Sequence, residues 1–146
     1  MTKTMAFAVL GKLVLTVHTD RAPSPAEWAS YVRALNQLTR EERDYQRIRN
    51  LVITEGGAPD SAQRKAVNDI ISSKYVTAAV VSGSPVVRAT VTAFSWFNNS
   101  IKAFAPHEMN DAFRHLELSS FEVELVDRRL SALRRELAEH VVRATG

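Results

Sequence analysis

The chain has 146 residues, 45% hydrophobic and 24% charged, with no cysteine and a formal net charge of +3. This is the make-up of one ordinary domain with apolar material for a sizeable core, and it excludes wholesale disorder. The missing cysteines exclude disulfides, a thiolate nucleophile and Cys-ligated metal, which fits a reducing, cytoplasmic setting. The arginines sit beside acids, as in TREERDYQRIR at 39 to 49, so no basic stripe forms and no nucleic-acid partner is expected. Lys12 interrupts the apolar start MAFAVLGKLVLTV and no small-residue cleavage site follows, so no signal peptide is expected. No later run reaches the ~18 apolar residues of a membrane span.

Two short apolar runs at 6 to 10 and 12 to 18, separated by Gly11, predict a hairpin or one bulged strand. RAPSPAEW follows, with Ser24 as N-cap, Pro25 at the first helical position and Glu27 completing a capping box. Trp28, Val32, Leu35 and Leu38 give that helix one apolar face. A polar connector over 39 to 49, long enough to be mobile, leads to the strand NLVIT. Next comes TEGGAPDSAQRK, a turn into a second amphipathic helix marked by Ala66, Val67, Ile70 and Ile71.

YVTAAVVSG lacks alternation, as buried strands of parallel sheets do. Ser84 and Pro85 then repeat the cap-and-proline start for a helix carrying Val87, Val91, Phe94 and Phe97. Ile101 to Ala105 is a short strand ended by Pro106, and Met109, Ala112, Phe113 and Leu116 mark another helix, expected to begin near 107. Ser119 and Glu122 form a last capping box before a long helix to about residue 143. Strands alternating with helices predict an α/β fold with a mostly parallel sheet of four or five strands, in which 51 to 54, 77 to 81 and 101 to 104 are neighbours.

The loop before the second helix admits three readings: a phosphate cradle, a docking or phosphoacceptor surface, or a simple cap in which Asp60 and Gln63 satisfy the first turn. A Walker-type cradle is excluded, because the glycine, lysine and Ser/Thr spacing is absent although Lys65 lies near. The histidines His18, His107, His115 and His140 show no i, i+4 pair and no HExxH, so no metal is expected. Ser84 in SGSPV lacks the glycine that a nucleophile elbow needs two residues on. Glu55, Asp60 and Asp69 are ordinarily placed for carboxylates, and no catalysis or cofactor is expected. In TAFSWFNN, Phe94, Trp96 and Phe97 cannot share one narrow stripe, so Trp96 is expected outward or under the last helix, and Trp96 with Phe97 is a candidate ligand or partner surface. In the last helix Val123, Val126, Leu130, Leu133, Leu137 and Val141 recur at spacings of three and four. Leu130, Leu133 and Leu137 are therefore an interface, with the chain's own sheet or third helix, with a second copy in a weak homodimer, or with a partner.

The succession of N-terminal hairpin, NLVIT, an Asp-Ser helix start, YVTAAVVSG and IKAFAPHEMNDAFRHLEL resembles a STAS domain, most closely the SpoIIAA-like group of bacterial anti-sigma-factor antagonists. The resemblance covers about 6 to 118 and leaves 119 to 146 as an added amphipathic helix. It implies a non-catalytic module for protein-protein interaction in bacterial signalling, with a kinase or regulator as partner. By the same resemblance Asp60, Ser61 and Gln63 form the partner-docking or phosphoacceptor loop, and Ser61 takes the acceptor place in one of two registers that the sequence leaves open. Ala62 and Gln63 stand where the family's motif has a second serine and a glycine. The alternative reading is a binding module for a small apolar or nucleotide ligand beside Trp96 and Phe97.

Overall fold

The computed structural model describes residues 3–42, 47–70, 76–95 and 100–145. Strands β1 (Met5–Leu10) and β2 (Leu13–His18) form an antiparallel hairpin, closed by Gly11 and Lys12 between the paired Leu10 and Leu13. Gly11 has φ 65°, as the first central position of a type II′ turn requires, and this is the turn that matches the natural twist of paired strands. The hairpin alternative is thus the one adopted, without a bulge.

Helix α1 (Pro25–Glu41) starts on the Ser24 cap, whose side chain accepts from the Glu27 N–H, and it links β2 to β3 (Arg49–Thr54). Helix α2 (Ser61–Asn68), strand β4 (Thr77–Ser82), helix α3 (Pro85–Ser95) and strand β5 (Ile101–Phe104) follow. A 3-10 turn at Pro106–Glu108, held by the Glu108 carboxylate on the Ala105 N–H (2.8 Å), leads into α4 (Met109–His115). The long α5 (Ser120–Thr145) ends the chain. The sheet order is β1-β2-β3-β4-β5, with β2 through β5 parallel, so the three strands expected to be neighbours are adjacent.

The predicted connector begins too early. Helix α1 runs on to Glu41 because Leu38 and Thr39 are buried, and the Thr39 hydroxyl satisfies itself on the Asn36 carbonyl (2.9 Å). Ile48, at the far end of that connector, is a core residue.

Two cores sandwich the sheet. On one face Ala6, Ala8, Leu13, Leu15, Val17, Leu51, Ile53, Ala79 and Val81 meet α4 and α5 through Ala112, Phe113, Leu116, Val126, Leu130, Leu133 and Leu137. On the other, Met5 and Val14 meet Trp28, Tyr31, Leu35 and Leu38 of α1, with Val67 of α2 and Ile70 just beyond it packed at the margin. Helix α3 packs on β4 and β5, and the right-handed crossover rule puts it on the α1 side. The α4–α5 corner is a full Schellman turn: Leu118 N–H reaches Phe113 O, Glu117 N–H reaches Arg114 O, and Glu117 takes the left-handed conformation with φ 54°. Arg49 fastens that corner from the sheet, donating to the carbonyls of Leu116 (3.3 Å) and Glu117 (3.4 Å) and pairing with Glu122. This pairing, before any effect of burial, draws the Glu122 carboxyl below its ordinary range.

Candidate functional site at the carboxyl ends of the parallel strands

Parallel strands deliver their following loops to one end of the sheet, where the starts of α2 and α3 become neighbours. The loop after β3 is held by its own chain. Thr54 Oγ1 donates to the Gly57 carbonyl (2.6 Å) and accepts from the Gly56 N–H (3.0 Å), while the Gly57 N–H reaches the Thr19 carbonyl (2.9 Å). A Cβ on Gly57 would fall 2.0 Å from the Arg21 carbonyl oxygen and 2.6 Å from that of Thr19, so close backbone approach dictates glycine there.

Asp60 and Gln63 form the capping box. Asp60 Oδ1 accepts from the Gln63 N–H (2.7 Å), and the Gln63 amide oxygen accepts from the Asp60 N–H (3.0 Å). Gln63 also ties the helix to its surroundings, donating to the Pro23 carbonyl (2.9 Å), while Trp28 Nε1 donates to the Gln63 carbonyl (3.0 Å). Ser61 is exposed. Its hydroxyl accepts from Arg64 Nη2 (3.1 Å), and Arg64 Nη1 donates to the Pro59 carbonyl (3.0 Å). A guanidinium three residues past a serine on a helix was legible as spacing, and the structure adds that it already faces the hydroxyl.

At the neighbouring helix start Ser84 accepts from the Val87 N–H (3.4 Å), and the buried Ser82 hydroxyl accepts from the Ser84 N–H (3.1 Å). Ser84 is thus a cap. Arg88, the one charged residue in PVVRATVTAFS, donates to the Ser82 carbonyl (2.7 Å). The outward row Val86, Ala89, Thr90 and Ala93 is therefore uncharged and exposed, Val86 to 75%. Sequence reasoning took Val87 and Val91 as the buried stripe and passed over Val86, whose one-position offset turns it to solvent. On the sheet, Val52, Ala78, Val80 and Ala103 are only half-buried. Trp96 and Phe97 lie outside the described residues, as do the side chains of Phe94, His140 and Val141.

Beneath α1 lies a buried polar strip. Glu27 accepts from the Thr4 hydroxyl (2.7 Å), the Ser24 hydroxyl (2.7 Å) and the Thr4 and Met5 N–H groups. Burial works to raise its carboxyl pKa, but these hydrogen bonds outweigh it and hold the carboxyl below its ordinary value. His18, at the end of β2, stacks near Trp28 with centroids 6.5 Å apart. Burial pushes its imidazole down to about 4, with the Glu27 charge pulling the other way. Asn50 Nδ2 donates to the Tyr31 hydroxyl (3.2 Å), and burial raises the Tyr31 pKa. His18 Nδ1 and Asn50 Oδ1 have no hydrogen-bond partner among the described residues.

His107 is exposed in the 3-10 turn, whereas the His115 Nε2 bridges the carbonyls of Ala78 and Ser100 (3.0 Å each), so the structure does not bring together the three described histidine side chains, His18, His107 and His115. Glu55 is exposed and Asp69 pairs with Lys65 (3.0 Å). Among the described residues no group of three or more His, Asp or Glu could hold a metal, and no helix is long and apolar enough to cross a membrane. Leu130, Leu133 and Leu137 are buried against the chain's own sheet. Comparison with protein-family models, curated proteins and solved structures finds no match for this chain.

Proposed function

We propose that this chain is a non-catalytic regulatory module, STAS-like and of the SpoIIAA-like kind, that docks another protein in bacterial signalling through the paired starts of α2 and α3. The observation that carries the reading is the uncharged, exposed row on α3, led by Val86, at the same end of the sheet as an exposed Ser61 already faced by Arg64. An apolar row at the same end as a charge-bearing, hydroxyl-bearing helix start supplies both halves of a protein interface, an apolar centre and a polar rim. A kinase or regulator is the partner that fits. A phosphate on Ser61 would gain the Arg64 guanidinium and the helix dipole while meeting Asp60 beside it, so the modification acts on partner affinity rather than on stability.

The second reading, a small apolar ligand, draws on the half-buried Val52 and Val80 of the sheet. One comparison separates them. Ser61→Ala and Ser61→Asp proteins, used as bait in source-cell extract with quantitative mass spectrometry, are expected to recover a common partner in amounts differing at least about tenfold, the size of one charge-assisted contact. Equal recovery by both would reduce the loop to a cap.

A further inference from the structure

We propose that this protein forms a twofold dimer through the outer edge of β1, in which two copies of Met5–Leu10 pair antiparallel about Ala8. Strand β1 pairs with β2 on one side and, among the described residues, with no strand on the other. The phase of its backbone is fixed. Thr19 N–H donates to the Thr4 carbonyl (3.0 Å), so Thr4 turns toward β2, and alternation along the ladder turns Met5, Phe7 and Val9 toward the edge. The edge N–H of Met5 is already engaged by Glu27 (3.2 Å), which leaves Phe7 and Val9 to present theirs.

Exposed edges are ordinarily blunted by a charge, a proline or a bulge. MAFAVL carries no charge and no proline, its register with β2 is unbroken, and Val9 is 40% exposed. Pairing about Ala8 joins Phe7 to Val9 of the second copy twice over, each pair exchanging both N–H···O bonds, and leaves Met5 with Glu27. Pairing about Phe7 would need the Met5 N–H that Glu27 holds, and pairing about Val9 would set Phe7 against Gly11 in the turn.

The side chains favour the same register. On the α1 face Phe7 meets Val9 of the second copy, and Met5 meets Gly11. On the α5 face Ala8 meets Ala8, and Leu10 meets Ala6. Every large side chain finds a smaller one opposite, and Lys12 falls opposite Thr4 rather than opposite a like charge. This self-complementarity selects a second copy over a foreign strand. The β1 edge lies across the sheet from β5, so such a dimer leaves the starts of α2 and α3 open on both copies. The inference does not depend on the functional reading.

The test is molar mass by light scattering on the full chain at micromolar to millimolar concentration. Val9→Pro removes one edge donor per copy at a position where an edge strand tolerates proline, and should raise the dimer dissociation constant about thirtyfold. Val9→Lys keeps the backbone intact and adds a charged gatekeeper, which serves if proline disturbs the hairpin. Ala8→Cys sets two thiols across a non-hydrogen-bonded pair, within disulfide reach. The chain has no cysteine of its own, so any disulfide-linked dimer reports this contact. The expected result is a wild-type dimer, monomeric Val9 variants with wild-type melting, and an Ala8→Cys dimer covalently linked on oxidation. A monomeric wild type, a dimer that persists in Val9→Lys, or a dimer that Ala8→Cys fails to link would each overturn the proposal.

Discussion

Leu133→Ala is expected to destabilise the protein by about 3 kcal/mol, with Leu130→Ala and Leu137→Ala close behind. The three side chains are 5%, 7% and 7% exposed and insert from α5 into the layer formed by Ala6, Ala8, Leu13, Leu15 and Leu51. Small residues on β1 let the helix sit close, and close packing leaves little room for collapse into the void that each truncation opens. Phe121, on the same helix but 69% exposed, is the control, and its alanine variant should stay within about 0.5 kcal/mol of wild type. Urea unfolding of the four variants measures both values. Cutting the chain after Leu118 should be worse than any point change, because it uncovers Leu13, Leu15 and Leu51, all at or below 1% exposure, in one step. A stable, soluble truncation would show that α5 is an appendage rather than a wall of the core.

Acid should weaken the fold by about 3 kcal/mol between pH 6.5 and 4 through His18 alone, since its pKa is lowered from 6.5 to about 4 in the native protein. In that window the unfolded chain binds a proton that the folded chain refuses. The stability is therefore fully present above the unfolded value, falls as pH drops through the window, and levels off below about 4. The cause is desolvation at a site 4% exposed, opposed only in part by Glu27. Glu27 adds a loss of the same sign further down, because its depressed carboxyl pKa contributes stability above its unfolded value that disappears as pH falls through the folded one. Urea midpoints at several pH values measure the slope. His18→Phe, which keeps a ring against Trp28, should flatten it between 6.5 and 4 while leaving the lower loss in place. An unchanged slope in that variant would assign the acid lability elsewhere.

The helix starts were legible because their signals are local. Ser24-Pro25-Glu27, Asp60-Gln63 and Ser84-Pro85 set first turns within three residues of themselves, and α1, α2 and α3 begin at Pro25, Ser61 and Pro85. The order of β3, β4 and β5 was legible too, since apolar runs alternating with helices leave few parallel arrangements. The end of α1 was not, because the charged TREER resembles a connector while burial of Leu38 and Thr39 carries the helix through it.

What lies between distant residues was also hidden. Nothing near Glu27 in the chain announces Thr4 and Met5, and nothing near Arg49 announces Glu122. The same holds for the exposed row on α3: the period of the helix was plain, but which side faces the sheet depends on the crossover that places it. The aromatic pair Trp96 and Phe97, singled out by composition, lies outside the described residues, so the candidate surface rests on Val86, Ser61 and Arg64.

The most direct test of the proposed docking surface is a single charge placed in it. Val86 is 75% exposed, so Val86→Arg should fold with the wild-type melting temperature. Used as bait beside wild type, with recovered proteins quantified by mass spectrometry, it should lose at least about tenfold of whichever partner distinguishes Ser61→Ala from Ser61→Asp, as burying an unpaired charge in an apolar interface centre requires. Recovery of that partner at the wild-type level would contradict the account, placing the interface away from α3.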